Sequence, residues 1–496
     1  MNPPTRQTIS AAVAADDNQM KKSIVSISVV STLLTLSGCS GGIPEKGRFI
    51  DHVQFPATYP ATTNLQNLFS PANTHPTGVV IDPQLTAYPQ QIVDALLAQW
   101  PGPRPNAQVY LVPVEDFTSD VSAHGAIFLN AGLISYFHDH PEVQSEDTMA
   151  FILGHELSHI LLGHTVANRQ NKEIKNVASN AMKWGSLIGG KFAGATVSGA
   201  QAALSSMGTK ILVDTALFPS WTRGQEEEAD TLAVDLMSKA GYSVDTALSV
   251  FKAMEAEDAR DTARRTASVA NGQTSFHVDN FTMTSKRGDA LDASVINELN
   301  TVTQEHPHAA DREAASSRYI NREYSDRDVV MLKNKPFLAW VNSKPVMTFL
   351  KQSRLLQTAT EEIAVQNWGE AHKTLARVGA PLNSSQDWIY LTAVTDTHLG
   401  QQKQSGQLLD EAAHRDDVTL PIARMWGEKL SKAGKTDEAE TYMATEQEAF
   451  DDRSLLTDRI TNAKRAKNGL LLDKLILQCA ASGDDGLQAA CSSANK

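Results

Sequence analysis

Apolar positions recur along this chain with periods that name its elements. Residues 108–114 (QVYLVPV) and 125–130 (GAIFLN) concentrate β-branched, aromatic and aliphatic side chains in short runs, which predict two strands of a small sheet. Residues 229–240 are apolar at 229, 232, 233, 236, 237 and 240, and Gly241 follows as a stop, so a one-sided helix is expected there. Helical spacing of Ile92, Leu96 and Leu97 predicts another over residues 89–100. The stretch 151–165, FILGHELSHILLGHT, is apolar on almost every side and reads as a buried helix, yet it carries three histidines and a glutamate.

Beyond residue 333 the pattern becomes a series of short amphipathic helices with a long period. Ala371, Ser405 and Ala439 are spaced by 34 residues, as are Gln366, Gly400 and Gly434, and Leu375, Leu409 and Met443. QNWGEAHKTL and AGKTDEAETYM look like the second helix of tetratricopeptide repeats, although Ser405 and Gln366 depart from the usual residues. Residues 258–300 are polar and poorly periodic, an expected insertion or exposed loop. Residues 171–217 are rich in Ala, Gly and Ser, suiting a helical hairpin or a lid.

The N-terminus adds a targeting signal. Lys21 and Lys22 precede an apolar run at 24–36, then Leu36-Ser37-Gly38-Cys39, which resembles the lipobox of a bacterial lipoprotein signal with Cys39 as the acylated residue. An ordinary secretory signal or N-terminal anchor is the competing reading. Asp16 and Asp17 sit poorly in an export signal, so translation is expected to start at Met20. By analogy with known lipoproteins, Ser40 after the cysteine favours the outer membrane, facing the periplasm. The resulting plan is a signal (1–38), a linker rich in Thr, Pro, Asn and Ala (39–76), a catalytic domain (77–332), a repeat module (333–450) and a C-terminal helix and tail (451–496). In an oxidising compartment Cys479 and Cys491 have the proximity for a local disulfide. The 496 residues, 41% hydrophobic and 20% charged, are globular in composition, and the net charge of −13 excludes a nucleic-acid surface.

His155-Glu156-Leu157-Ser158-His159 is H-E-x-x-H. Residues four apart on a helix share a face, so both imidazoles can hold one metal ion with Glu156 beside them to handle a proton. Two satisfied core histidines are the competing account. A hydrolytic zinc site needs a third protein ligand and an open position for water. His164 comes one residue too early for the H-E-x-x-H-x-x-G-x-x-H arrangement, so it is expected as a helix cap or as a contact to a ligand. Glu226 is the better third ligand: it opens the 229–240 helix in RGQEEEAD. Asp230, four residues on, can accept a hydrogen bond from a ligand histidine's other nitrogen. The acidic run also suits a solvated first turn. His138 and His140 lack such spacing and read as a solvated loop.

HELSH, the R-x-x-E-x-E-A-D run at 223–230, and His306-Pro307 with downstream Arg312 together resemble the zinc metallopeptidases that include the CAAX prenyl protease and HtpX-like proteases. With the lipoprotein signal and repeats, the arrangement looks most like the BepA-like periplasmic branch. The resemblance implies a mostly α (α+β) zincin-type domain whose small sheet flanks the active-site helix, followed by helical repeats. It implies one Zn²⁺ held by His155, His159 and Glu226, Glu156 as general base, His306 near the metal as helper or plug, and Arg223 and Asp230 supporting the ligands. Where family members often carry Asn-Ala-Phe, this chain has Ser119-Asp120-Val121, while residues 125–130 are expected to pair with an extended peptide. The expected function is a cell-envelope endopeptidase acting on unfolded or misassembled proteins, lipid-anchored, with a protein partner on the repeats. The alternative is an assembly factor or chaperone working through the repeats over a latent zinc site.

Overall fold

The computed structural model describes residues 42–69, 78–165, 221–270, 275–278, 281–284, 309–482 and 485–495. The signal segment with Cys39, the Ala/Gly/Ser-rich stretch at 171–217 and His306 lie outside the described residues. What is described is mostly helical, with one three-stranded sheet and one hairpin. Among the described residues no helix is long and apolar enough to cross a membrane.

A short helix α1 (Leu65–Leu68) precedes α2 (Pro83–Leu97). Asp82 caps α2 by accepting from the Gln84 amide and Pro83 stands in its first turn, so the helix starts before the expected residue 89 and runs through Pro89. Strands β1 (Gln108–Val112), β2 (Ser119–Val121) and β3 (Ala126–Asn130) form a sheet of order β1-β3-β2. β1 lies parallel and β2 antiparallel to β3. Residues 125–130 therefore pair on both sides, which overturns their expected role as a free edge for a peptide. The edge strands are β1, bridged at Leu111 to Val80, and β2, a strand of three residues too short to show alternation.

Helix α3 (Ala131–Asp139) leads to α4 (Glu146–Leu161), which carries the H-E-x-x-H motif. Every residue of α4 from Asp147 to Leu161 is buried, as its all-round apolar pattern requires. Its first turn is tied down by carboxylates: Asp147 accepts from the Ser243 and Lys333 amides, and Glu146 from the Tyr88 and Tyr242 hydroxyls. Helix α5 (Arg223–Ala240) opens on a capping box between Thr222 and Gln225 and ends at Gly241, whose φ of 77° is the left-handed conformation glycine adopts without strain. α4 and α5 pack closely because Gly154 faces Ala233; a Cβ at 154 would sit 3.3 Å from the alanine methyl.

Helix α6 (Thr246–Ala270) and the hairpin β4 (Ser275–Val278) and β5 (Phe281–Thr284) occupy much of the stretch expected as loop. Charged pairs such as Glu257 with Arg260 sit at helical spacing there, which a search for apolar periodicity does not register. Helix α7 (Ala309–Tyr324) then returns to α5. Buried Asp235 of α5 accepts from the hydroxyls of Tyr319 and Tyr324 and from the Ile50 amide. Residues expected as a linker are thus packed: Phe49 and Ile50 are buried, Leu68 and Phe69 cover the sheet, and the Asn64 amide donates to the carbonyl of Ala449.

Ten further helices follow: α8 (Asn334–Val341), α9 (Lys344–Ala364), α10 (Trp368–Leu375), α11 (Gln386–Leu399), α12 (Gln402–Ala413), α13 (Leu420–Lys432), α14 (Thr436–Phe450), α15 (Leu456–Arg465), α16 (Gly469–Ala480) and α17 (Asp485–Asn495). Successive helices from α9 to α15 pack on one another, and Cys479 and Cys491 join α16 to α17 by a disulfide. One cluster of buried side chains runs from Phe49 to Leu391, across residue 332.

Asp387, in the first turn of α11, is buried, and that burial pushes its carboxyl up to about 7. The folded chain thus holds this proton more tightly than the unfolded chain does. Its contribution is complete below pH 4 and is lost as pH rises through 7, a few kcal/mol by linkage. Asp387→Asn is expected to raise the urea midpoint much more at pH 8 than at pH 4.5.

Candidate metal centre

The crossing of α4 and α5 brings His155, His159 and Glu226 together, all buried, with one ligand atom of each within 4.8 Å of the others. The Nε2 atoms of the two histidines are 3.1 Å apart; Glu226 Oε2 lies 3.6 Å from His155 Nε2 and Glu226 Oε1 lies 3.5 Å from His159 Nε2. Zinc bonds of about 2.0–2.2 Å put the ligands of a tetrahedral ion about 3.4 Å apart. The donor set and its spacing therefore fit a zinc ion.

Each histidine is held from behind. His155 Nδ1 donates to Asp230 Oδ1 at 2.8 Å, which leaves Nε2 as the lone pair facing Glu226. Arg312 of α7 donates to both oxygens of Asp230, at 2.9 and 2.7 Å, and its Nη1 lies 3.0 Å from Glu226 Oε2. Arg312 Nη2 is also 3.3 Å from His155 Nδ1, but both atoms are donors, so Asp230 Oδ1 takes both protons. Burial pushes the Asp230 carboxyl up, and the Arg312 charge with the hydrogen bonds from Arg312 and His155 more than reverses this, leaving it below its ordinary range. Burial works against the Arg312 charge as well, yet Asp230 and Glu226 hold that proton more firmly than usual.

His159 Nδ1 meets His164 Nδ1 at 3.1 Å, and His164 Nε2 meets Glu228 Oε2 at 3.2 Å. Trp221, just before α5, stacks on the His159 ring with centroids 4.1 Å apart. Burial, aided by His155 and His164 and opposed by Glu226, holds the His159 imidazole well below its ordinary range, in the neutral form that binds metals. Glu156 is buried beside these ligands, where its Oε1 accepts from Ser119 Oγ on β2 at 2.7 Å.

Residues 83–319 match the model of peptidase family M48. That span is similar to the M48 peptidases and holds His155, Glu156, His159, Glu226, Asp230 and Arg312. It is also 29% identical over 157 residues to the metalloprotease YcaL of Escherichia coli (strain K12), a match covering 31% of this chain and 52% of that protein. The chain thus spans about half the length of this curated relative.

Within the matched span, one expected supporting residue is misplaced. Arg223 is 69% exposed in the first turn of α5, where it pairs with Asp311 at the surface. Arg312, next in sequence to that aspartate, reaches the buried carboxylates from α7. Ser119, Glu228 and Trp221 had no signal as site residues, because each arrives from an element whose position only the fold reveals. His138 and His140 flank the end of α3 without joining the centre; His140 stacks on Tyr136.

Proposed function

We propose that this protein is a zinc-dependent endopeptidase of the cell envelope. The observation that carries the reading is the convergence of three buried ligand atoms from α4 and α5 with the carboxylate of Glu156 beside them. His155, His159 and Glu226 hold the ion. Bound there, zinc supplies a Lewis acid that polarises a carbonyl and makes water acidic near neutral pH. Glu156 takes the proton of the attacking water and returns it to the leaving amine. Ser119 fixes one oxygen of Glu156 for that transfer.

An extended substrate aligned along β2 is recognised through its main chain, which suits unfolded or misassembled proteins of many sequences. The envelope assignment rests on the apolar run and small residues before Cys39, read as a lipid attachment site in the outer membrane facing the periplasm. The Cys479–Cys491 disulfide supports it, since such bonds persist in oxidising compartments. The 34-residue period and the stacked helices α10 to α15 support a tetratricopeptide-like module that docks a partner or delivers a substrate.

Purified full-length protein is expected to contain one zinc per chain and to degrade an unfolded casein-type substrate. A chelator stops the degradation, zinc restores it, and His155→Ala removes both metal and activity. Degradation that continues in chelator and in His155→Ala sinks the reading.

A further inference from the structure

Glu228, His164 and His159 form a chain of three buried groups in which only one direction of hydrogen bonding is consistent with a metal at Nε2 of His159. A ligand nitrogen presents a lone pair, so the proton of neutral His159 sits on Nδ1 and must be donated outward. The atom that receives it, 3.1 Å away, is His164 Nδ1. His164 then carries its own proton on Nε2, where the Glu228 carboxylate accepts it at 3.2 Å. Reversing either tautomer sets two N–H groups, or two lone pairs, against each other.

The local backbone makes this contact. α4 ends at Leu161, and Gly163, at φ 71°, turns the chain so that His164 comes back over the last turn of the helix. On α5 the Glu226-Glu227-Glu228 run divides: Glu226 enters the centre, Glu227 is exposed, and Glu228 is buried against His164. Burying an imidazole and a carboxylate outside the centre is costly unless they satisfy each other. Of the two, His164 touches the ring that needs orienting, and Glu228 touches His164.

We infer that His164 and Glu228 are positioning residues that lock His159 in the tautomer presenting Nε2 to the metal, His164 directly and Glu228 through His164. His155 obtains the same service from Asp230 in a single step, whereas the partner of His159 Nδ1 among the described residues is an imidazole, which serves as the link. The inference rests on the zinc reading above. It also excludes His164 as a third ligand, since its Nδ1 faces the back of His159.

The test is the zinc dissociation constant of the full-length protein, measured by competition with a fluorescent chelator. His164→Ala is expected to weaken zinc binding about 10- to 100-fold, the usual effect of losing a partner behind a ligand histidine. His164→Asn, which keeps an oxygen acceptor near the Nδ1 position, recovers most of the affinity. Glu228→Gln weakens binding less than His164→Ala and has no further effect when added to it. Far-UV circular dichroism establishes that each variant is folded, and His164→Asn against Glu228→Gln carries the comparison should His164→Ala not fold. Unchanged affinity in folded His164→Ala, or in Glu228→Gln should His164→Ala not fold, overturns the inference, as does a full additional loss from Glu228→Gln in the His164→Ala background. If His155→Ala also leaves zinc binding unchanged, the zinc reading itself has failed. Loss of binding in His155→Ala alone confines the failure to His164 and Glu228.

Discussion

Glu156→Gln is expected to leave zinc bound at wild-type stoichiometry while lowering peptide hydrolysis by about 10²- to 10⁴-fold, the usual contribution of a general base. The amide has the size of the carboxylate and keeps an oxygen that accepts from Ser119 Oγ, so the 2.7 Å bond to β2 survives. Glu156 is not among the three residues whose ligand atoms converge, so metal content is untouched. What disappears is the capacity to take a proton. Metal analysis and casein-type proteolysis on the same preparation separate this outcome from that of His155→Ala, which loses the ion. Activity within a few-fold of wild type in Glu156→Gln rejects the assigned base, and loss of zinc shows that Glu156 belongs among the ligands.

The part of this site that lies within one helix turn is legible in the amino-acid sequence. His155 and His159 share a face because of helical geometry alone, and Glu156 follows from its place between them. Glu226 and Asp230 are legible for a related reason: they are four apart on a helix whose apolar periodicity is plain. Glu228 is hidden by the same run, because a triple acidic start normally belongs to a solvated first turn. Nothing local tells that α5 is covered on both flanks by α4, α7 and α2.

Contacts made by elements that meet only in the fold are not legible. Arg223 and Arg312 both accompany acidic motif residues in the sequence, yet only α7 packs its arginine against Asp230. β2 is three residues long and contains Ser and Asp, so neither its existence nor the Ser119 contact to Glu156 leaves a pattern. The 42–69 stretch resembles a linker because its anchors are few: Phe49, Ile50, Leu68 and Phe69 are buried, with polar residues between them. Beyond residue 332, where a division is expected, the described elements are helices alone, whereas strands and helices precede it. Packing is continuous across that point, since Phe337 and Phe349 belong to the same core as Phe137.

Arg312→Met is expected to be the most damaging substitution for stability, costing about 3–5 kcal/mol in metal-free protein, because it strands buried charge instead of removing a buried pair. Methionine keeps most of the apolar stem and deletes the guanidinium, which lies over the Phe251 ring, bonds both oxygens of Asp230 and faces Glu226. Two signatures distinguish stranded charge from lost packing. Zinc neutralises Glu226 from the other side, so the loss in urea unfolding shrinks when zinc is present. The second is pH. In the native protein Asp230 lies below its ordinary range, so it adds stability above pH 4 that is lost as pH falls through its native value. Without Arg312, burial dominates, the native value rises above the unfolded one, and the variant gains stability as pH falls. The difference between wild type and variant should therefore narrow between pH 8 and pH 5. Arg312→Lys should recover little, since one ammonium cannot reproduce the paired bonds to Asp230. A loss that is the same at both pH values and indifferent to zinc assigns the role of Arg312 to its packing on Phe251.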